Sequence, residues 1–195
     1  MSLYRKLVVL VLILSIVQLA ICQQSSRVRA AEGRLDKAQS LYNLGLGGQQ
    51  DVIRAEGQVR VAKAQDEYDR INLLFKAGSA SNIDLIRAEE SLALTRADAR
   101  LVLCQWALAS AQNGQTAGTS TGVSVRQATY ALAVAQYDFL DTQLSYLQKE
   151  FDVVQALVKA SKMSLADLQQ EQSRVIEVTE LLRRAKVRVL ALRNQ

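Results

Sequence analysis

The sequence predicts an all-α protein of elongated antiparallel helical hairpins, a coiled-coil bundle with no β-sheet. Three observations carry this. Proline is absent from all 195 residues, so nothing interrupts long helices. Hydrophobic residues make up 49% of the chain but aromatics only 5%, which leaves Ala, Leu and Val to build thin seams between helices. The third is a recurring turn pattern. It reads Gly45-Leu-Gly-Gly48-Gln-Gln-Asp51-Val-Ile-Arg-Ala-Glu56 and returns 33 residues later as Gly78-Ser-Ala-Ser81-Asn-Ile-Asp84-Leu-Ile-Arg-Ala-Glu89. A worn copy follows at Ser161-Lys-Met-Ser164-Leu-Ala-Asp167-Leu-Gln-Gln-Glu171.

Each copy is written in helix-capping chemistry. Gly45 and Gly78 suit the left-handed conformation just past a helix end. Three residues on, Gly48, Ser81 or Ser164 suits the next N-cap, and an aspartate then falls at the third helical position, where its charge meets the helix dipole.

The first element, residues 1–22, reads as an export signal. Arg5 and Lys6 precede an apolar run from Leu7 to Ile21, and polar Gln23-Gln24-Ser25-Ser26 follows. The run is shorter than the ~20 residues of a spanning helix. Cleavage, lipidation and retention as a membrane anchor are the three outcomes for it. Leu19-Ala20-Ile21-Cys22 resembles a bacterial lipobox, with Ile21 where that motif has Gly, Ala or Ser, and this makes Cys22 the candidate lipidation residue. Cys104 is then the only thiol of the mature body, which excludes an internal disulfide.

Five helices follow from the punctuation, over about 25–44, 49–77, 82–112, 123–160 and 165–192. Residues 23–112 form a three-helix coiled-coil segment, 113–122 a Gly/Thr/Ser linker, and 123–195 a helical hairpin. In the third helix Leu85, Leu92, Ala99 and Trp106 recur every seven residues, with Ala88, Thr95, Val102 and Ala109 three after each. The fourth begins in one register (Val125, Ala128, Leu132, Ala135, Phe139) and continues in another (Leu144, Leu147, Phe151, Val154, Val158). This implies a stutter near Phe139. The fifth offers Leu165, Leu168, Val175, Thr179, Leu182 and Val189, with Gln172 as a polar intruder. Antiparallel alternation places the Gly78 and Ser161 turns at one end and the Gly45 turn at the other.

The chemistry the chain lacks narrows its function. With no histidine, the commonest general base and metal ligand is missing, and no catalytic constellation assembles. The sequence is read as non-enzymatic, with no cofactor and no metal. Cys104 lies mid-helix, where a small buried hydrophobe is the expected role. Net charge is +5, or +3 once Arg5 and Lys6 leave 22 basic against 19 acidic residues, too weak for a nucleic-acid partner. The basic cluster Arg183, Arg184, Lys186, Arg188 and Arg193 complements the dipole at a helix C-terminus.

At the second turn, Phe75-Lys-Ala-Gly78-Ser-Ala-Ser81-Asn-Ile-Asp84-Leu-Ile-Arg-Ala88-Glu89 resembles the periplasmic hairpin of the TolC-type outer-membrane efflux protein family. There an aromatic, a Gly, an Asp six residues on, an apolar pair and an Ala-Glu pair mark the turn between long coiled-coil helices. Tyr42, Gly45, Asp51, Val52, Ile53, Ala55 and Glu56 match the same pattern. The resemblance covers roughly residues 34–109. Arg70, Leu74 and Ser81 also have the spacing of the hairpin tip in periplasmic adaptor (membrane-fusion) proteins, where such residues touch the efflux duct. Barrel strands and a lipoyl-like domain are both missing, so the likeness extends to the coiled coil alone.

The resemblance implies a periplasmic coiled-coil component of an efflux or secretion assembly, on the periplasmic face of the outer membrane or free in the periplasm. Its docking tip would comprise Arg70, Leu74, Gly78, Ser81 and Asp84. Its partner would be an efflux- or adaptor-type protein or a second copy of itself, with membrane association through the N-terminus. The alternative is a secreted structural coiled-coil spacer or oligomer with no transport role.

Overall fold

The structure, a computed structural model, describes residues 26–116 and 124–194. The expected export signal with Cys22, and most of the expected linker, lie outside the described residues. The protein is all-α, and no strand occurs among the described residues. Helix α1 occupies residues 26–43, α2 Gln49–Lys76, α3 Asn82–Thr116, α4 Val125–Lys159 and α5 Leu165–Arg193.

Two boundaries differ from the sequence reading. Helix α3 continues through Asn113, Gly114, Gln115 and Thr116, into the expected linker. A helical glycine costs about 1 kcal/mol against alanine, and packing that buries Gly114 and Ala111 outweighs it. Helix α4 starts two residues late because Ser124 caps it. The Ser124 hydroxyl accepts from the Gln127 N–H at 3.1 Å, and the Gln127 side chain accepts from the Ser124 N–H at 3.2 Å.

The chain divides into two units between Ala88 and Glu89, inside α3. In the first, Arg27 pairs with Asp69, and Glu32 with Lys63. As the chain advances along α1 its partner retreats along α2, so the two helices are antiparallel. Ala31, Ala55, Gly57, Val59 and Ile86 are buried in this unit, and all but Ile86 are small or slender, which favours close helix approach.

In the second unit α4 and α5 form an antiparallel hairpin. Arg188 donates to Gln136 at 3.2 Å, and fourteen residues nearer the turn Arg174 meets Glu150 at 3.6 Å. The register is therefore constant along the hairpin. Arg100 of α3 pairs with Asp138 of α4 at 3.2 Å. On α4, buried Ala128, Leu132 and Ala135 follow heptad steps, whereas Ala135 to Leu147 spans twelve residues, three steps of four through half-buried Phe139 and Gln143. That is the stutter the sequence placed near Phe139.

The α5 seam differs from the expectation. Leu165, Gln172 and Thr179 are exposed, and Glu171 and Val178 are buried instead. The true seam pairs Leu168, Val175, Leu182 and Val189 with the positions three later: Glu171, Val178, Ala185 and Leu192. The charge on Glu171 hid this second line.

Glu171 is tolerable there because Arg174 satisfies it. The Arg174 guanidinium donates to both Glu171 oxygens at 2.9 and 2.8 Å while facing Glu150, which is 1% exposed. Two carboxylates thus share one cation, itself 41% exposed in its side chain. Removing one partner of a buried pair leaves an uncompensated charge. Arg174→Ala is expected to destabilise the second unit by about 1–2 kcal/mol, read as a fall in the thermal unfolding midpoint, with Glu171→Gln costing markedly less.

Candidate functional site

All three turns share one backbone solution. After α2 the Gly78 N–H donates to the Phe75 carbonyl at 2.9 Å and the Ser79 N–H to the Leu74 carbonyl at 2.8 Å. This Schellman closure satisfies carbonyls the helix end leaves open. It requires the left-handed φ of +74° at Gly78, and the same pair of bonds recurs at Gly45, φ +71°. After α4 the left-handed residue is Ser161, φ +56°, with its N–H on Val158 at 2.9 Å and the Lys162 N–H on Leu157 at 2.8 Å. The third copy therefore keeps the geometry without the glycine.

The next helix is capped from the same turn. At α3 the Asp84 N–H donates to the Ser81 hydroxyl at 3.1 Å. The Asp84 carboxylate accepts from the Ser81 N–H at 2.8 Å and from its hydroxyl at 2.7 Å. Ser164 and Asp167 repeat this set at α5, at 3.2, 3.0 and 2.7 Å. Gly48 offers no side chain, and that copy keeps only backbone bonds.

Of the five sequence-predicted tip residues, three are thus occupied in the turn. Gly78 supplies the conformation, while Ser81 and Asp84 cap each other. The other two face differently. Arg70, exposed on α2, donates from Nε to Glu67 at 2.9 Å in a two-point pair. Its hydrogen bond holds the Glu67 carboxyl below the usual range, and Glu67 in turn raises Arg70. Leu74 is half-buried, and Phe75 beside it is exposed. Along this end of α2 lie a paired cation, an exposed aromatic and a half-buried leucine.

The Gly45 turn is more apolar. Leu44 and Leu46 are 71% and 75% exposed, next to exposed Leu41 and Tyr42. The sequence names Tyr42 as part of the turn pattern but gives the three leucines no role. Aligning the copies exposes them: where this turn has Leu44 and Leu46, the others have Ala77 and Ser79, or Ala160 and Lys162.

Where α3, α4 and α5 meet in the second unit, a groove of about 360 Å³ is lined by Leu101, Gln136, Phe139, Leu140, Arg184, Ala185 and Arg188. It arises where small Ala185 faces Phe139, and Gln136 engages Arg188 at its edge. The predicted basic cluster is spread out, since Arg183 pairs with Glu180 on its own helix and Arg188 reaches across to α4. Cys104 is half-buried, and burial pushes its thiol up, away from the reactive thiolate. No group of three His, Cys, Asp or Glu is placed to hold a metal ion among the described residues, nor is any helix there long and apolar enough to cross a membrane.

Set against known proteins, the chain matches no family model, no curated protein and no solved structure.

The caps set an acid dependence. Hydrogen bonds from the Ser81 side chain, then from its backbone, hold Asp84 below the ordinary carboxylate range, and Ser164 does the same for Asp167. A depressed folded pKa contributes stability above the unfolded pKa that is lost as pH falls through the folded one. Asp84→Asn with Asp167→Asn is expected to melt below wild type at neutral pH. The two melting curves should converge as pH falls below the ordinary carboxylate range. At the third turn, Ser161→Gly relieves the left-handed strain and is expected to add about 0.5–1 kcal/mol, measured by denaturant unfolding.

Proposed function

We propose that this protein is a periplasmic coiled-coil component of an efflux or secretion assembly that docks through the hairpin tip between α2 and α3. The observation that carries the reading is the division of labour at that tip. Its capping groups are closed on one another by short hydrogen bonds, while Arg70 and Phe75 stay outward on α2. A tip that needs no partner to complete its own hydrogen bonds is preorganised for docking, because little further ordering is required on binding. The spacing of Arg70, Leu74 and Ser81, and the resemblance to TolC-type and adaptor hairpins, name the class of partner. Export through the N-terminal signal, with Cys22 as candidate lipid attachment, belongs to the same proposal.

A second reading, a secreted structural spacer that associates with itself, is favoured by the apolar residues exposed at the Gly45 turn and along α5.

Arg70 and Arg54 form a matched pair for the test. Each is exposed on α2 and bonded to an acid three residues earlier, Arg70 to Glu67 and Arg54 to Asp51. Reversal of either costs about 0.5 kcal/mol or less in stability. Arg70→Asp is expected to weaken cross-linking to an efflux-family partner while helicity and melting stay near wild type. Arg54→Asp, at the other end of α2, leaves cross-linking intact. Equal effects at both ends, or none at Arg70, would favour the spacer.

A further inference from the structure

The groove between α3, α4 and α5 is walled by hydrocarbon and edged by cations. Leu101, Phe139, Leu140 and Ala185 line it, and each is only half-buried, so the three helices leave apolar surface open there. Arg184 and Arg188 complete it from α5, and no carboxylate is among the lining residues. Its volume of about 360 Å³ falls in the range of small-molecule sites, which combine an apolar wall with a few orienting polar groups.

Neither arginine has an acid to answer it. Arg184 makes no hydrogen bond or ion pair among the described residues, and Arg188 makes only the one to the neutral Gln136 amide. The acids nearby along the chain are engaged elsewhere or out of reach. Asp138, next to Phe139, pairs with Arg100, and Glu180, four residues before Arg184, pairs with Arg183. Exposed Asp141, next to Leu140, pairs with neither groove arginine.

The helix dipole does not account for the two cations either. Its field acts within the last turn, whereas Arg184 and Arg188 precede the helix end at Arg193 by nine and five residues. Four residues apart, they share a face of the helix and repel each other. A bound anion removes that repulsion, and each guanidinium presents paired donors that suit a carboxylate.

We propose that this groove binds a free single-chain anionic amphiphile, a fatty carboxylate. Its headgroup sits between Arg184 and Arg188, and its chain lies along Leu101, Phe139, Leu140 and Ala185. An inorganic anion would leave the apolar wall bare, and a cationic amphiphile would face two like charges. The inference holds under either functional reading, because the groove lies in the second unit and involves neither Arg70 nor the tip between α2 and α3.

The test titrates the full-length chain with decanoate, below its micelle concentration, by isothermal calorimetry. Residues 1–22 are common to every variant, so differences between variants report the groove. Wild type is expected to bind decanoate with a Kd on the order of 0.1–1 mM, and octanoate about fivefold more weakly. Arg184→Gln with Arg188→Gln, both at exposed positions, should weaken decanoate about tenfold with unchanged helicity. Arg184→Lys with Arg188→Lys should recover part of that loss, since charge returns without the paired donors. Ala185→Leu fills the groove and should weaken decanoate with both arginines in place; if it lowers the melting point, the arginine variants decide the question. Decanoate affinity indifferent to the arginine variants, inorganic phosphate bound as tightly as decanoate, or an equal loss of decyltrimethylammonium binding in the glutamine pair would each overturn the inference. So would arginine-dependent binding to phosphatidylglycerol–phosphatidylcholine vesicles with none to decanoate, which would make the site a bilayer contact.

Discussion

The fixed interval of three residues between the left-handed residue and the next N-cap is the constraint from which this protein is built. Across that interval one helix end has its carbonyls closed by backbone N–H groups, and at two of the three turns the next helix start is capped by a Ser and the Asp three residues after it. Reversal of the chain therefore needs no contact from elsewhere in the molecule. Bonds from the same turn hold both helix ends, so each hairpin leaves its turn already antiparallel. Side-chain seams then need only choose a register.

The two units choose it differently. In the first, small buried residues allow close approach, and exposed ion pairs such as Arg27–Asp69 and Glu32–Lys63 mark the alignment. Such exposed pairs contribute little energy each. In the second, the alignment of α4 with α5 is marked by a charge cluster within the seam. Glu150 is fully enclosed and faces the Arg174 guanidinium at 3.6 Å. Apolar seams of Ala, Leu and Val tolerate slippage; a buried carboxylate does not.

Much of this was legible in the sequence, for a physical reason. Capping is local, so the residues that stop one helix and start the next lie within one short string, and α2, α4 and α5 begin or end within two residues of the places those strings set. The Ser124-Val-Arg-Gln127 string carried the same chemistry in a different lettering. What stayed hidden depends on three dimensions. Glu171 looks like a surface residue until Arg174, one turn later, is seen to reach both it and Glu150 across the hairpin. The candidate tip was legible in the same divided way: the roles of Gly78, Ser81 and Asp84 follow from spacing. The Arg70–Glu67 pair and the exposure of Leu44 and Leu46 required coordinates, because periodicity assigns no partner and no exposure to a turn.

The enclosure of Glu150 also has a mechanical side. Sliding α5 along α4 by one heptad would bring Asp167 or Leu181 opposite Glu150, a second carboxylate or a hydrocarbon, in place of the guanidinium. Axial shear between these helices is thus resisted by electrostatics as well as by packing.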